Sequence, residues 1–187
     1  GSWRKKEDTF RGNEIQNKII GIIGYGRIGK KLCKYLKSLG CLVKIYDPFI
    51  KIRNRNLNFV RSLKIIFEKC DIISLNLSLN HNTSNIINDK YLNILKKNQI
   101  LINTSRGKIV DEIAIIKKIK QKKFFYSTDV ISDEFKNNLK SNKLLKLSYK
   151  NENLIVTPHI AGLTEESQTK SLYFILKELI LYKKNSF

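Results

Sequence analysis

A glycine-rich run gives the clearest chemical signal in the sequence. It reads Gly24-Tyr25-Gly26-Arg27-Ile28-Gly29 and lies between the apolar segment 19–23 and a helical pattern. In such a run the first glycine permits a tight turn, the second lets the backbone approach a pyrophosphate, and the third lets helix and strand pack closely. The helix N-terminus then offers free N–H groups and partial positive charge to phosphates. The run predicts a dinucleotide site; the alternative is a turn that serves packing alone.

An acidic residue follows the next apolar segment. Asp47 comes directly after segment 42–46, close to the interval at which a carboxylate accepts hydrogen bonds from the adenosine ribose. A negative charge there would repel a 2′-phosphate, which favours NAD over NADP. The alternative is that Asp47 is a turn residue at the end of a strand, before Pro48.

Three further charged or titratable residues each follow a predicted strand. They are Arg106, Glu134 and His159. Because ligands of open α/β sheets bind at the carboxyl ends of the strands, the three side chains are expected to gather there, beside the nicotinamide end of a dinucleotide. Taken singly, each has a simpler explanation: a turn cation, a solvated loop carboxylate and a packed histidine.

Apolar segments and helical patterns alternate along the chain and would position these residues. The predicted strands are 19–23, 42–46, 71–75, 100–103, 124–128 and 154–156. The predicted helices are 28–39, 61–69, 89–95, one capped by Asp111 that runs to about 121, and one capped by Thr164. Segment 135–150 is predicted to be a loop with at most one short helix. Strands that are apolar throughout indicate a parallel sheet covered on both faces, which is the doubly wound α/β, or Rossmann, fold.

Five motifs follow one another along the chain, in segments 10–15 (Phe10-Arg11-Gly12-Asn13-Glu14-Ile15), 18–29 with 46–48, 103–112, 129–134 and 157–167. Together they resemble the NAD-binding domain of the D-isomer-specific 2-hydroxyacid dehydrogenases, a family that includes D-3-phosphoglycerate dehydrogenases. Their order and approximate spacing agree over nearly the whole chain. The resemblance implies an NAD-dependent oxidoreductase of 2-oxo and 2-hydroxy acids.

The resemblance also implies a role for each site residue. Arg106 would grip the substrate carboxylate and carbonyl oxygen. His159 would give a proton to the carbonyl oxygen as hydride arrives, and Glu134 would orient the imidazole and favour its protonated form. Asp129 would meet the nicotinamide carboxamide, and Thr104 and Ser105 would line the same pocket. The predicted cofactor-binding residues are therefore Gly24, Gly26, Arg27, Ile28, Gly29, Asp47, Thr104, Ser105, Asp129 and Gly162.

Three departures from the family pattern stand out. After the third predicted strand the family usually shows His-x-Pro-Leu, whereas this chain has Asn76-Leu77-Ser78-Leu79. Phe135 stands where a proline commonly follows the glutamate. His81 matches no catalytic position of the family and is expected to lie on the surface.

The amino-acid composition indicates which kinds of partner and which cellular location to expect. The formal net charge is +20, from 36 Lys and Arg against 16 Asp and Glu. Because the lysines are spread over predicted helix faces and loops, we attribute the charge to compositional bias and expect neither nucleic acid nor a membrane as partner. No run is long enough to cross a bilayer. Three cysteines without a CxxC pair indicate reduced thiols in a cytoplasmic protein, with no metal site.

The chain is predicted to be one NAD-binding domain over 1–187, in which the substrate domain of the family is largely absent. It contains no methionine and opens with Gly1-Ser2, which suggests a piece of a longer protein. The terminal helix in 164–187 would pack toward a missing domain or a partner, and a homodimer is a further expectation. We expect NAD(H) binding with little turnover by the chain alone. The alternatives are an NAD(H)-sensing regulator, resembling corepressors of this fold, and a basic nucleic-acid-binding module.

Overall fold

Seven parallel strands form one sheet in the part of the chain that the structure describes. The structure is a computed structural model, and it describes residues 11–50, 56–121, 124–134 and 139–185. The strands are β1 (Ile19–Ile23), β2 (Leu42–Tyr46), β3 (Asn58–Phe59), β4 (Ile72–Leu75), β5 (Ile100–Asn103), β6 (Phe125–Thr128) and β7 (Leu154–Val156). Their order across the sheet is β3-β2-β1-β4-β5-β6-β7. The predicted Rossmann fold is confirmed.

Helices connect the strands and cover the sheet. They are α1 (Arg27–Ser38), α2 (Leu63–Lys69), α3 (Asp89–Leu92), α4 (Glu112–Lys120), α5 (Lys143–Ser148) and α6 (Glu165–Asn185). Single 3₁₀ turns lie at Gly107–Ile109 and Leu139–Ser141. Because every crossover joins parallel strands, the carboxyl ends of all the strands lie along one edge of the sheet.

The apolar residues of the central strands point to both faces of the sheet. Ile23 belongs to the larger core, with α2, α3 and α4, whereas Ile20 and Ile22 pack with Cys33 and Leu36 of α1. All three cysteines lie in the described part of the chain as buried, unpaired thiols. Burial on both faces explains why the central strands β1, β4 and β5 are mainly apolar rather than alternating.

The predicted element ends have identifiable causes. Gly40 has a φ of +76° and follows the last turn of α1. The Asp111 carboxylate accepts hydrogen bonds from the Ile113 and Ala114 amides and so caps α4. The Thr164 hydroxyl accepts one from the Ser167 amide at 3.0 Å. These three caps follow the sequence prediction.

One strand differs from the sequence prediction. The edge strand β3 was not predicted, because it has only two residues, Asn58 and Phe59, and pairs with Lys44 and Ile45 alone. The short helix allowed for in segment 135–150 is α5, whose N-cap is Asn142. Phe10 and Phe135, named in the sequence prediction, lie outside the described residues.

Helix α6 carries apolar side chains around its whole circumference. Nine large apolar residues between 172 and 182 are 45–75% exposed. A helix that is apolar all round is normally buried, which favours packing of α6 against a further domain or partner. That packing stays a prediction, and so does the assignment of residues 1–187 to one domain. Among the described helices, none has the length and apolarity to span a membrane.

Candidate active site

Two glycines of the run are required by close backbone packing. Gly24 follows β1 with a φ of +92°, and a Cβ on it would overlap the carbonyl oxygen of Asn76. A Cβ on Gly29, within α1, would overlap the carbonyl oxygen of Gly24. The turn and the seating of α1 on β1 therefore depend on these two glycines.

Gly26 differs, because it borders open space. A Cβ built on it would meet nothing within 4 Å, and the residue is exposed. It is the N-cap of α1, without a side-chain cap, and the first turn of α1 has no acidic residue. The amides of that turn have no intrahelical acceptor, so they are available to phosphate oxygens.

Asp47 is fixed beside the glycine turn. One carboxylate oxygen accepts a hydrogen bond from the Tyr25 amide at 2.8 Å, and the other accepts one from the Phe49 amide at 2.9 Å. Each oxygen keeps further lone-pair capacity. Binding of the ribose hydroxyls through that capacity stays a prediction.

A cavity of about 520 Å³ extends from the glycine turn to the arginine. It brings together five predicted cofactor-binding residues and Arg106, and it is completed by the loop after β4. Its lining comprises Gly26, Arg27, Ile28, Asn76, Leu77, Ser78, Leu79, Thr104, Ser105 and Arg106. We call this cavity the cleft. An uncapped helix terminus and an open glycine at one end of the cleft, with the fixed carboxylate of Asp47 beside the same glycine turn, fit a dinucleotide.

Buried polar groups hold Arg106 at the inner end of the cleft. The Asn103 side chain, fully buried, donates to the Arg106 carbonyl at 3.0 Å and accepts from the Ser105 amide at 3.0 Å. The Ser105 hydroxyl donates to the Leu75 carbonyl at 2.7 Å and accepts from the Leu77 amide. Ser105 thus lines the cleft while its hydroxyl ties the ends of β4 and β5 together. Sequence reasoning did not identify Asn103 as a positioning residue.

The structure brings His159 and Glu134 into contact. Nδ1 of His159 lies 3.1 Å from Oε2 of Glu134, and the side chains are 45% and 16% exposed. Glu134 lines two cavities, one of about 320 Å³ shared with Arg106 and one of about 400 Å³ shared with His159. The three predicted catalytic residues therefore meet around Glu134, although they are up to 53 residues apart in the sequence.

Asp129 is buried and binds the loop that carries His159. Its carboxylate accepts hydrogen bonds from the Thr157 hydroxyl and from the Ile160 and Ala161 amides. Burial by itself would raise the pKa of Asp129, but these hydrogen bonds and the nearby His159 outweigh it, so the pKa lies below its ordinary value.

We expect the contribution of Asp129 to stability to depend on pH. Its pKa is lower in the folded than in the unfolded chain, so the contribution is complete above the unfolded value of 3.8. It is lost as the pH falls through the folded-state pKa. Urea unfolding of the native chain and of Asp129→Asn should therefore differ most near neutral pH and least in acid. A difference in unfolding free energy that stays constant down to strongly acidic pH would contradict this expectation.

The remaining predicted residues lie at the surface. Thr104 is exposed in the cleft, and Gly162 is exposed beyond the histidine loop with open space around it. His81 is exposed, as predicted, and lines none of the cavities described above.

Comparison with known proteins identifies the family. Residues 1–161 match the model of the D-isomer specific 2-hydroxyacid dehydrogenase, NAD binding domain. The chain belongs to this family. NAD is therefore its cofactor, in agreement with the open glycine of the cleft and the fixed carboxylate beside the glycine turn.

Individual relatives agree with this assignment. D-3-phosphoglycerate dehydrogenase of Methanocaldococcus jannaschii is 34% identical over 172 residues, which are 90% of this chain and 31% of the relative. The structure of D-2-hydroxyisocaproate dehydrogenase superposes with a TM-score of 0.89 at 29% identity, covering 98% of this chain and 58% of the other. The structure of D-lactate dehydrogenase from Aquifex aeolicus, complexed with NAD and lactic acid, superposes with a TM-score of 0.80 at 29% identity. The match covers 97% of this chain and 60% of the other.

The extent of the match limits what the family assignment covers. The chain spans between about a third and three fifths of the length of these relatives. The domain and its cofactor are assigned by the match, and the comparisons give no support to the regulatory alternative.

Proposed function

We propose that this chain supplies the NAD-binding and catalytic half of an enzyme that interconverts a 2-oxo acid and the D-2-hydroxy acid. The observation that carries the proposal is the contact between His159 and Glu134, together with the cavity that Glu134 shares with Arg106. Bound NAD(H) supplies the hydride acceptor or donor. The chain's own residues hold the substrate and move the proton.

Arg106 holds the acid group of the substrate. Its side chain is exposed and borders both the cleft and the smaller cavity that Glu134 lines. The planar guanidinium can donate two parallel hydrogen bonds to a carboxylate, which fixes the orientation of the adjacent carbonyl group.

His159 gives a proton to the carbonyl oxygen in reduction and takes it from the hydroxyl in oxidation. Because Nδ1 faces Glu134, Nε2 is the nitrogen left for the substrate. The carboxylate of Glu134 orients the ring and stabilises the positive charge that it carries before the proton is transferred. The buried, unpaired thiols fit the cytoplasmic location included in this proposal.

The test is oxidation of NADH with pyruvate, 4-methyl-2-oxopentanoate and 3-phosphohydroxypyruvate, followed by determination of the product's configuration. We expect a D-configured product in a form of the protein that includes a substrate domain. The chain alone should bind NADH but turn over slowly, because a substrate domain is needed to close over the substrate and exclude water. NADH binding without oxidation by any 2-oxo acid in the complete form would overturn the proposal.

Replacement of Asp47 by alanine should weaken NADH binding roughly ten- to a hundredfold and reduce the preference over NADPH. The variant loses the charged acceptor to which the ribose hydroxyls would donate, and with it the charge that repels a 2′-phosphate. Calorimetric titration of both nucleotides measures the effect. Asp71→Ala is the matched control, because Asp71 also accepts a backbone hydrogen bond, from Ile19, but at the opposite edge of the sheet. Equal losses in the two variants would argue against a specific role of Asp47.

A further inference from the structure

The loop that carries His159 has an unfavourable backbone conformation. His159 has a φ of +55°, in the left-handed region that non-glycine residues seldom occupy. Its amide donates to the Thr157 carbonyl at 3.0 Å, which closes a tight turn around Pro158. Such a conformation persists only where the surroundings hold it.

The groups that hold this loop converge on one carboxylate. Oδ1 of Asp129 accepts from the Thr157 hydroxyl at 2.5 Å and from the Ile160 amide at 3.0 Å, and Oδ2 accepts from the Ala161 amide at 2.8 Å. The three donors flank His159 on both sides. Successive amides that point at one anion form a backbone nest, and a residue in the left-handed region turns them in that direction.

The carboxylate itself is anchored in the sheet. Asp129 is 4% exposed, and its amide donates to the Asn103 carbonyl at 3.0 Å, directly after β6. On the other side, the Thr157 amide donates to the Thr128 carbonyl at 2.9 Å. The ends of β5, β6 and β7 therefore fix Asp129 relative to the first residue of the histidine loop.

We propose that Asp129, together with Thr157, is a positioning unit that holds the His159 backbone in the conformation in which its ring meets Glu134. The contact between the two side chains is a single one, and 45% of the His159 side chain is exposed. One such contact aligns the ring only if the backbone beneath it is already fixed. The role is additional to the contact with the nicotinamide carboxamide predicted for Asp129, and its importance for catalysis rests on the proposed function.

The experiment uses nuclear magnetic resonance of the nitrogen-15-labelled chain without cofactor. The imidazole nitrogens report the His159–Glu134 contact, and hydrogen exchange reports the Ile160 and Ala161 amides. The chain has two histidines, so His81→Gln assigns the signals. The test variants are Asp129→Asn and Thr157→Val. Thr157→Ser is the conservative rescue, because it keeps the hydroxyl.

A second control separates positioning from general loss of stability. Ile119→Val removes one methyl group from the buried core of α4, away from the histidine loop. It should lower stability without altering the imidazole signals.

The proposal predicts that Asp129→Asn and Thr157→Val lose the Nδ1 signature of the contact with Glu134. Exchange of the Ile160 and Ala161 amides should accelerate roughly tenfold or more. Thr157→Ser and Ile119→Val should resemble the native chain. Retention of the signature and of protection in both test variants would overturn the proposal, as would their loss in Ile119→Val. Failure of the proposed function is seen separately, as an absence of NADH oxidation.

Discussion

Replacement of Gly29 by alanine is expected to lower the free energy of unfolding by about 3 kcal/mol and to abolish NADH binding. Gly29 is buried where α1 crosses the turn, and a Cβ there would overlap the backbone oxygen of Gly24. Backbone cannot move aside as a side chain can, so the first turn of α1 must shift away from β1. Urea unfolding and calorimetric titration with NADH measure the two effects.

Gly26→Ala is the matched control for this prediction. Its Cβ would enter open space, so the fold should keep its stability while NADH binding weakens, since the methyl group occupies the room through which a pyrophosphate approaches the backbone. Comparison of the two variants thus distinguishes the packing of α1 on β1 from the approach of the pyrophosphate to the backbone. A Gly29→Ala chain with native stability, or a Gly26→Ala chain with native NADH affinity, would show that the roles of the two glycines are assigned incorrectly.

Replacement of His159 by glutamine should lower the rate of 2-oxo acid reduction roughly 10²–10⁴-fold, which is the usual contribution of a general acid. Glutamine can still form a hydrogen bond near Glu134 but cannot give up a proton. NADH affinity should change little, because no cofactor contact was predicted for His159. Steady-state rates and NADH titrations measure the two quantities in a form of the protein that turns over.

His81→Gln provides the comparison for the His159 variant. It makes the same chemical change at an exposed residue that lines none of the described cavities, so its activity should equal that of the native protein. Equal activity of the His159→Gln variant and the native protein would remove the basis for the proton-transfer step.

Much of the fold was predictable because each strand and helix carries a local signal. The central parallel strands are mainly apolar, and the ends of α1, α4 and α6 are marked by Gly40, Asp111 and Thr164. Strand β3 has no such signal, because two residues at the edge of a sheet need no apolar run. For α5 only the presence of a short helix in the lysine-rich segment was predicted, and its start at the Asn142 cap was not.

The site was predictable in outline and not in its internal contacts. Glycine spacing and the position of Asp47 after a strand follow local rules, and residues that follow parallel strands share one edge of the sheet. The hydrogen bonds of Asp129 join residues 28 to 32 positions apart, and their formation depends on how three strand ends align. The same holds for the packing of Gly107, where a Cβ would overlap the backbone of Ile131. Such contacts have no signature along the chain.

The central claim is that NAD binds along the cleft from the glycine turn toward Arg106, with its nicotinamide beside His159, the proposed proton donor. Its most direct test is a titration of the nitrogen-15-labelled chain with NAD⁺, followed through the backbone amide signals. We predict shifts at the glycine-turn end of the cleft, in Gly26 and Arg27, and beyond its Arg106 end, in Ala161 beside His159. Asn98 and Gln99, in a separate cavity at the opposite edge of the sheet, should not shift. Shifts confined to Asn98 and Gln99, or to the glycine turn without Ala161, would contradict the placement of the nicotinamide beside His159.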